Sequence, residues 1–202
     1  MARPRDVEKS QDLARRAVEI LERDGLTISA EHLARELDIK RPTLLYHFPS
    51  YSDIVQAALA ELLMEQAAFV AKRVEQHEHP IDRLYARLRA VNEFHRGRES
   101  RLLFLTQAIA VTAGARATDI ITTAAALFDD ARRDMVERVE KGIEEGIVHP
   151  CDAKALVNLL RAVIDGVTIQ RVTSPRNIPG VEEMFWKTVL EPLKKTTKKG
   201  KK

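Results

Sequence analysis

The chain has 202 residues, of which 45% are hydrophobic, 31% are charged and 5% are aromatic, a composition that excludes a disordered protein and favours helices over a β-sandwich or barrel. Its one cysteine, Cys151, excludes an internal disulfide and a cysteine-based zinc site, and it fits a reducing, cytoplasmic setting. The net charge of +3 is small and does not by itself predict nucleic-acid binding.

Three helices are predicted in the first fifty residues. Apolar residues at spacings of three and four predict a helix over about 7–24, with Glu22 among the charged residues on its opposite side, and Gly25 ends it. Ser29 is a good N-cap for a second helix over about 30–37. After a three-residue break, Pro42 lies in the first turn of a third helix over about 41–48.

Six further helices are predicted from the same periodicity and from glycine and proline boundaries. They cover about 52–76, 80–95, 100–112, 117–145, 152–172 and 181–193. No run of about 18 or more apolar residues occurs, and we expect neither a membrane span nor a secretory signal. The sequence therefore predicts an all-α protein with about nine helices.

The last residues, 194–202, carry six lysines and no acid, and we predict a disordered basic tail. Without those lysines the chain has 27 basic and 30 acidic residues. The high isoelectric point is therefore a property of the tail, which we expect to raise non-specific affinity for DNA.

Two short helices with a tight turn between them form a helix-turn-helix pattern. The exposed positions of the third helix carry hydrogen-bond donors long enough to reach phosphates or base edges. The residues alone leave two interpretations equal: a DNA-binding head, or a capping bundle with a solvated polar face. Those donors are Lys40, Arg41, Thr43, Tyr46 and His47.

Residues 13–55 resemble the DNA-binding domain of the TetR family of bacterial transcriptional regulators. The matching residues are Leu13, Ala17, Leu21, Gly25, Ser29, Leu33-Ala34, Leu37-Asp38-Ile39, Pro42-Thr43-Leu44, His47-Phe48 and Val55. The resemblance implies a helix-turn-helix domain over 1–51 and a larger helical effector-binding and dimerisation domain over 52–193. It also implies a cytoplasmic homodimeric repressor, released from a palindromic DNA operator by a small-molecule effector.

Other functions stay open beside that interpretation. A transcriptional activator of the same fold is one alternative, and a helical enzyme or adaptor with an incidental helix-turn-helix is another. No catalytic arrangement of side chains can be argued from the sequence, so we expect no enzymatic activity and no cofactor. Histidines near acidic residues, such as His77 and His79 beside Glu75 and Glu78, fit a polar helix end better than a metal site.

The predicted DNA contacts include departures from the family pattern. Asp38 replaces the usual turn glycine, and aspartate tolerates the left-handed backbone better than most residues. Lys40 replaces a common serine, and Tyr51 replaces a frequent lysine, leaving a hydroxyl that donates more weakly to phosphate. The predicted contacts are Ser29, Lys40, Arg41, Pro42, Thr43, Tyr46, His47 and Tyr51.

The predicted effector site lies among the middle helices, as the resemblance implies. Polar side chains on an otherwise apolar face are the useful sign, although each is equally well explained as a partnered core group. The candidates are Tyr85, Asn92 and His95, with Phe69, Phe104 and Phe128 as walls. The apolar surroundings predict a largely apolar effector held by one or two hydrogen bonds.

The eighth and ninth helices are too apolar to be covered on one side only. A four-helix interface between two chains, as in the family, explains the excess, and Gly166 would permit close approach; burial within one subunit is the alternative. The predicted interface residues are Leu156, Leu160, Val163, Val167, Phe185, Trp186 and Val189, without a choice of helix face.

Overall fold

The computed structural model describes residues 4–114, 120–173 and 180–195, without the side chains of 4–5, 110–114 and 120–128. These parts of the chain contain nine α-helices and no strand, which confirms the all-α prediction. The helices are α1 (Pro4–Asp24), α2 (Ala30–Glu36), α3 (Arg41–His47), α4 (Tyr51–Val74), α5 (Pro80–Phe94), α6 (Glu99–Gly114), α7 (Ile120–Glu144), α8 (Ala153–Thr173) and α9 (Val181–Phe185).

The chain folds into two compact units, each built from two separate stretches of sequence. Unit 1 comprises residues 1–66 and 97–126, and unit 2 comprises 67–96 and 127–202. Unit 1 thus includes α6 in addition to the helix-turn-helix segment. The division reflects how the helices pack, and the functional boundary at residue 51 stays a prediction.

The second helix begins at the predicted cap. The Oγ of Ser29 accepts a hydrogen bond from the backbone N–H of His32 at 3.1 Å, which satisfies one of the free amides at the start of α2. The guanidinium of Arg16, on α1, donates to the carbonyl of Leu37 at 2.6 Å at the other end of α2. Both ends of this short helix are therefore fixed by side chains.

Asp38 adopts the left-handed conformation that its position requires, with φ 56°. Its N–H bonds to the carbonyl of Arg35 at 3.0 Å, and the N–H of Ile39 bonds to the carbonyl of Ala34 at 3.0 Å. This pair of hydrogen bonds is a Schellman motif, in which glycine is the usual left-handed residue. The tight turn between α2 and α3 therefore forms with aspartate in place of glycine, as the sequence predicted.

We expect Asp38→Val to lower the free energy of unfolding by about 1–2 kcal/mol, because a β-branched side chain is disfavoured at positive φ. Asp38→Asn, which tolerates this conformation, should change stability little. Urea unfolding of both variants measures the difference. Equal stability of the valine and asparagine variants would contradict a conformational constraint at this turn.

The fourth helix starts at Tyr51, one residue before the predicted start, and a reciprocal cap precedes it. The carboxylate of Asp53 accepts from the N–H of Ser50 at 2.8 Å, and the Oγ of Ser50 accepts from the N–H of Asp53 at 3.2 Å. By length and composition α4 is also apolar enough to cross a membrane, a test that core helices of soluble proteins pass equally. Its residues Ile54, Val55, Ala58, Leu59 and Leu62 are buried.

The core of unit 2 joins α5, α7, α8 and the C-terminal segment. Its buried residues include Ile81, Leu84, Leu88, Val139, Val148, Leu156, Val157, Leu160, Phe185 and Leu190. The ring of His79 caps α5, because Nδ1 accepts from the N–H of Ile81 at 3.2 Å while Nε2 lies 3.2 Å from the carbonyl of Ile147. That histidine has a structural role at a helix end.

The ninth helix is α-helical for less of its length than predicted. After Phe185 it continues as a π-helical turn, Trp186–Leu190, and a 3-10 turn, Glu191–Leu193. Pro192 lacks an N–H, so the regular α-helical ladder cannot continue through it. The first residue of the predicted tail has defined contacts. Lys194 forms an isolated antiparallel β-bridge with Val148, and its side chain forms an ion pair with Asp82 at 2.7 Å. Residues 196–202 of the predicted tail lie outside the described residues.

Candidate functional sites

The third helix presents a polar face above a buried apolar one. Leu44 and Phe48 are 0% and 5% exposed and anchor α3 in unit 1. Lys40, Arg41 and Tyr46 are exposed on the other face, Tyr46 at 72%. No acidic residue lies in the first turn of α3. Two cations and the positive end of the helix dipole therefore occur together, an arrangement that attracts phosphate.

His47 is less exposed than predicted and is held by α1. Its Nδ1 lies 2.9 Å from the Oγ of Ser10, and that hydroxyl donates its proton to the carbonyl of Asp6 at 2.7 Å. The Nδ1 of His47 must therefore be the donor in its bond with Ser10. It follows that Nε2 accepts when the ring is neutral and donates to a phosphate only when the ring is protonated.

The remaining predicted DNA contacts differ in their exposure to solvent. Pro42 and Ser29 are exposed, and Thr43 is half-buried. The hydroxyl oxygen of Tyr51 is buried and has no hydrogen-bond partner among the described residues, and burial raises its pKa. In this conformation the hydroxyl is turned away from solvent, so its predicted contact with phosphate requires the side chain to rotate.

The predicted effector residues of unit 2 are occupied by partners within that unit. Asn92 is 2% exposed. Its side-chain Nδ2 donates to Glu182 at 2.7 Å, and its backbone carbonyl accepts from Arg171 at 2.8 Å. The ring of Tyr85 packs on that of Trp186, with centroids 4.7 Å apart. For these side chains the geometry matches the alternative of a partnered core group.

The aromatic candidates are likewise packed, except for one that is not described. The ring of Phe69 lies 5.3 Å from that of Phe94 and under the guanidinium of Arg73. His95 is 2% exposed, and Phe104, in unit 1, is 1% exposed. The side chain of Phe128 lies outside the described residues.

Unit 2 contains a cleft of about 400 Å³ between the end of α4, the start of α5 and the middle of α7. It is lined by Ala71, Val74, Glu75, Pro80, Arg83, Leu84, Arg87, Asp130, Ala131, Asp134, Met135 and Arg138. None of the predicted effector residues with a described side chain lines it. Sequence reasoning missed this cleft, although Arg83 and Arg87 on one helix and Asp134 and Arg138 on another follow the four-residue spacing that places side chains on one face.

The charged groups of the cleft are not equally satisfied. Arg138 donates through Nε to both oxygens of Asp134 at 2.9 and 2.8 Å, which raises the pKa of Arg138. Arg83 donates to the carbonyls of Val74 at 3.2 Å and His77 at 2.9 Å. By contrast, the Nε of Arg87 is buried without a hydrogen-bond partner in the described part of the chain, and burial lowers the pKa of Arg87.

The predicted interface residues mostly face their own chain. Leu156, Leu160, Val167 and Phe185 are between 1% and 6% exposed, and the half-buried Val163, Trp186 and Val189 pack against the same core. Another face of α8 is open, with Leu159 and Ile169 at 45% and 49% exposed. Among the described residues, no group of three or more histidine, cysteine or acidic side chains is arranged to hold a metal ion.

No protein-family model and no curated protein matches the chain. Solved structures do. A candidate transcriptional regulator from Saccharomonospora viridis in complex with choline is 20% identical with a TM-score of 0.73, covering 91% of this chain and 98% of its own. A bacterial regulatory protein of the TetR family from Rhodococcus is 15% identical with a TM-score of 0.69, covering 93% and 98%.

A third similar structure is AibR in complex with isovaleryl coenzyme A and operator DNA. It is 15% identical with a TM-score of 0.63, and the match covers 92% of this chain and 97% of that one. Matches that span nearly the whole of both chains extend the resemblance from the helix-turn-helix segment to the complete helical arrangement. The chain has the fold of the TetR-family transcriptional regulators.

Proposed function

We propose that this protein is a sequence-specific DNA-binding transcriptional regulator that reads its operator with α3. The observation that carries the proposal is the geometry of that helix: Leu44 and Phe48 fix it to unit 1 while Lys40, Arg41 and Tyr46 remain exposed. A rigid helix with exposed donors suits the major groove. The AibR complex with operator DNA shows that a protein of this fold binds DNA.

We further propose a cytoplasmic repressor that a small molecule releases from a palindromic operator. Two proteins of this fold have been solved with small molecules, one with choline and one with isovaleryl coenzyme A. In such a regulator the effector and the operator weaken each other's binding by the same factor, so the coupling can be measured from either side.

The proposed regulator acts as a homodimer through the open face of α8. Small and apolar residues recur there at spacings of four and three, the pattern of a helix-packing seam. They are Ala155, Leu159, Ala162, Gly166 and Ile169, which we call the α8 stripe. A Cβ added at Gly166 would meet no atom within 4 Å, so its own chain leaves room there for a partner's helix.

We expect Arg41→Ala to weaken binding to the preferred operator by about 1–3 kcal/mol, if its guanidinium reads a base. Selection from a randomised duplex pool identifies the site, and fluorescence anisotropy measures the affinities. Lys72→Ala is the control: it removes an exposed cation of α4, not of α3, and should leave operator affinity unchanged.

A double variant, Arg41→Ala/His47→Ala, gives the strictest comparison. It should lose preference for the selected site over random duplex of the same length. Normal operator affinity in this variant would overturn α3 as the reading helix. Failure of the wild-type protein to enrich any sequence would overturn sequence-specific binding.

A further inference from the structure

The α4–α5–α7 cleft of unit 2 combines apolar side chains with a cation, Arg87, whose buried Nε has no hydrogen-bond partner among the described residues. The half-buried Ala131 and Met135 contribute apolar surface, and the buried Val74 and Leu84 also line the cleft. Its volume of about 400 Å³ lies within the range in which proteins bind small molecules. The apolar side chains suit a ligand with a hydrocarbon body. The charged groups of the cleft determine which polar group that ligand must carry.

Arg87 is the cation of the cleft that makes no hydrogen bond to the described residues. Its Nε is buried. Asp134, the acid that acts on it electrostatically, already receives Nε of Arg138 on both carboxylate oxygens. A buried charged donor left unsatisfied is costly, and a carboxylate is the group that a guanidinium fork matches best.

The charge balance of the cleft limits the ligand to one negative charge. Three arginines there face three acids, Glu75, Asp130 and Asp134. Asp130 also pairs with Arg133. The second negative charge of a dianionic phosphate would be repelled by the carboxylates of the cleft. A monoanion needs only one cation, and Arg87 provides it.

We propose that this cleft binds a small carboxylic acid with an apolar body, its carboxylate on the guanidinium of Arg87 and its body against Ala131 and Met135. The proposal rests on the proposed function in one respect: this acid is the effector of the regulator. It keeps the largely apolar effector that the sequence predicted and moves its polar anchor from Tyr85, Asn92 and His95 to Arg87.

Calorimetric titration of the full-length protein tests the site without DNA. Hexanoate and benzoate are compared with the uncharged hexanamide and benzamide, which have nearly the same shape. We expect the acids to bind at least tenfold more tightly than the amides, and Arg87→Gln to remove that preference. Arg89→Gln, an exposed arginine of the same helix outside the cleft, should bind the acids as the wild type does.

The apo protein provides a second readout. Because the buried Nε of Arg87 makes no hydrogen bond to the described residues, we expect the melting temperature of Arg87→Gln to be no lower than that of the wild type. An unfolded or strongly destabilised Arg87→Gln protein would show that the guanidinium stabilises the fold, and would overturn the proposal. Equal binding of acid and amide, or acid affinity that is insensitive to Arg87→Gln, would overturn it as well.

Operator binding then separates the two proposals. A selected operator that the wild type binds, together with no acid binding up to about 10 mM, overturns the cleft and leaves the regulator intact. An acid that binds through Arg87 without changing operator affinity retains the site and overturns its role as effector site. Weaker operator binding with hexanoate in the wild type, but not in Arg87→Gln, supports both.

Discussion

Replacing Glu22 by alanine is expected to lower the free energy of unfolding by about 2–3 kcal/mol. The carboxylate of Glu22, on α1, lies 2.8 Å from Nε of Arg101 near the start of α6, and the two side chains are 13% and 6% exposed. Removal of the acid takes away a charge-assisted hydrogen bond to a buried guanidinium, and such bonds contribute more than those between neutral groups.

Glu65 is the matched control for that substitution. It lies 3.8 Å from Nη1 of the same Arg101, but its side chain is 58% exposed. Glu65→Ala should therefore cost less than about 1 kcal/mol. Chemical unfolding followed by circular dichroism compares the two variants, and equal losses would show that the burial of the Glu22 pair adds nothing to stability.

The Glu22 pair also shows where sequence patterns stop being informative. Periodicity places Glu22 on the solvent side of an amphipathic helix, and that assignment is wrong because α6 covers it. The partner lies 79 residues away in the chain. Local spacing carries no information about which distant helix packs on a charged face.

Local signals, by contrast, were sufficient for the helix-turn-helix. Ser29 caps α2, and Asp38 takes the left-handed conformation of the turn. Each depends on hydrogen bonds between residues no more than five positions apart, which the order of residue types determines directly. Helix α3 could be predicted for the same reason, since its buried and exposed positions alternate within two turns.

Local signals could not show which polar side chains of the middle helices already have partners within their own unit. Asn92 looks like a polar anchor on an apolar helix face, but Glu182, ninety positions later, takes its amide. Arg87 looks like an ordinary surface cation, but packing of α7 against α5 encloses it beside the ion pair of Asp134 and Arg138. Tertiary contacts determine whether a polar side chain already has a hydrogen-bond partner. A polar side chain without such a partner is the one available to a ligand.

The second large expected effect concerns the proposed dimer face on α8. Leu159→Glu/Ala162→Glu should convert a dimer into a folded monomer, because a two-fold interface places each new charge near its own copy. Lys154→Glu changes an exposed position of α8 outside the α8 stripe and should remain dimeric. Light scattering at micromolar concentration distinguishes the two, and a monomeric wild type would contradict the interface.

Gly166→Leu separates the interface from the stability of the subunit. The new Cβ meets no atom of its own chain within 4 Å, and replacing a helical glycine should raise the stability of the monomer by up to about 1 kcal/mol. In a seam that depends on close approach of two α8 helices, the same side chain separates them and weakens the dimer. Operator affinity should fall as dimerisation weakens, because a monomer binds only one half-site at a time. A Gly166→Leu protein that dimerises and binds operator as the wild type does would place the seam on another face.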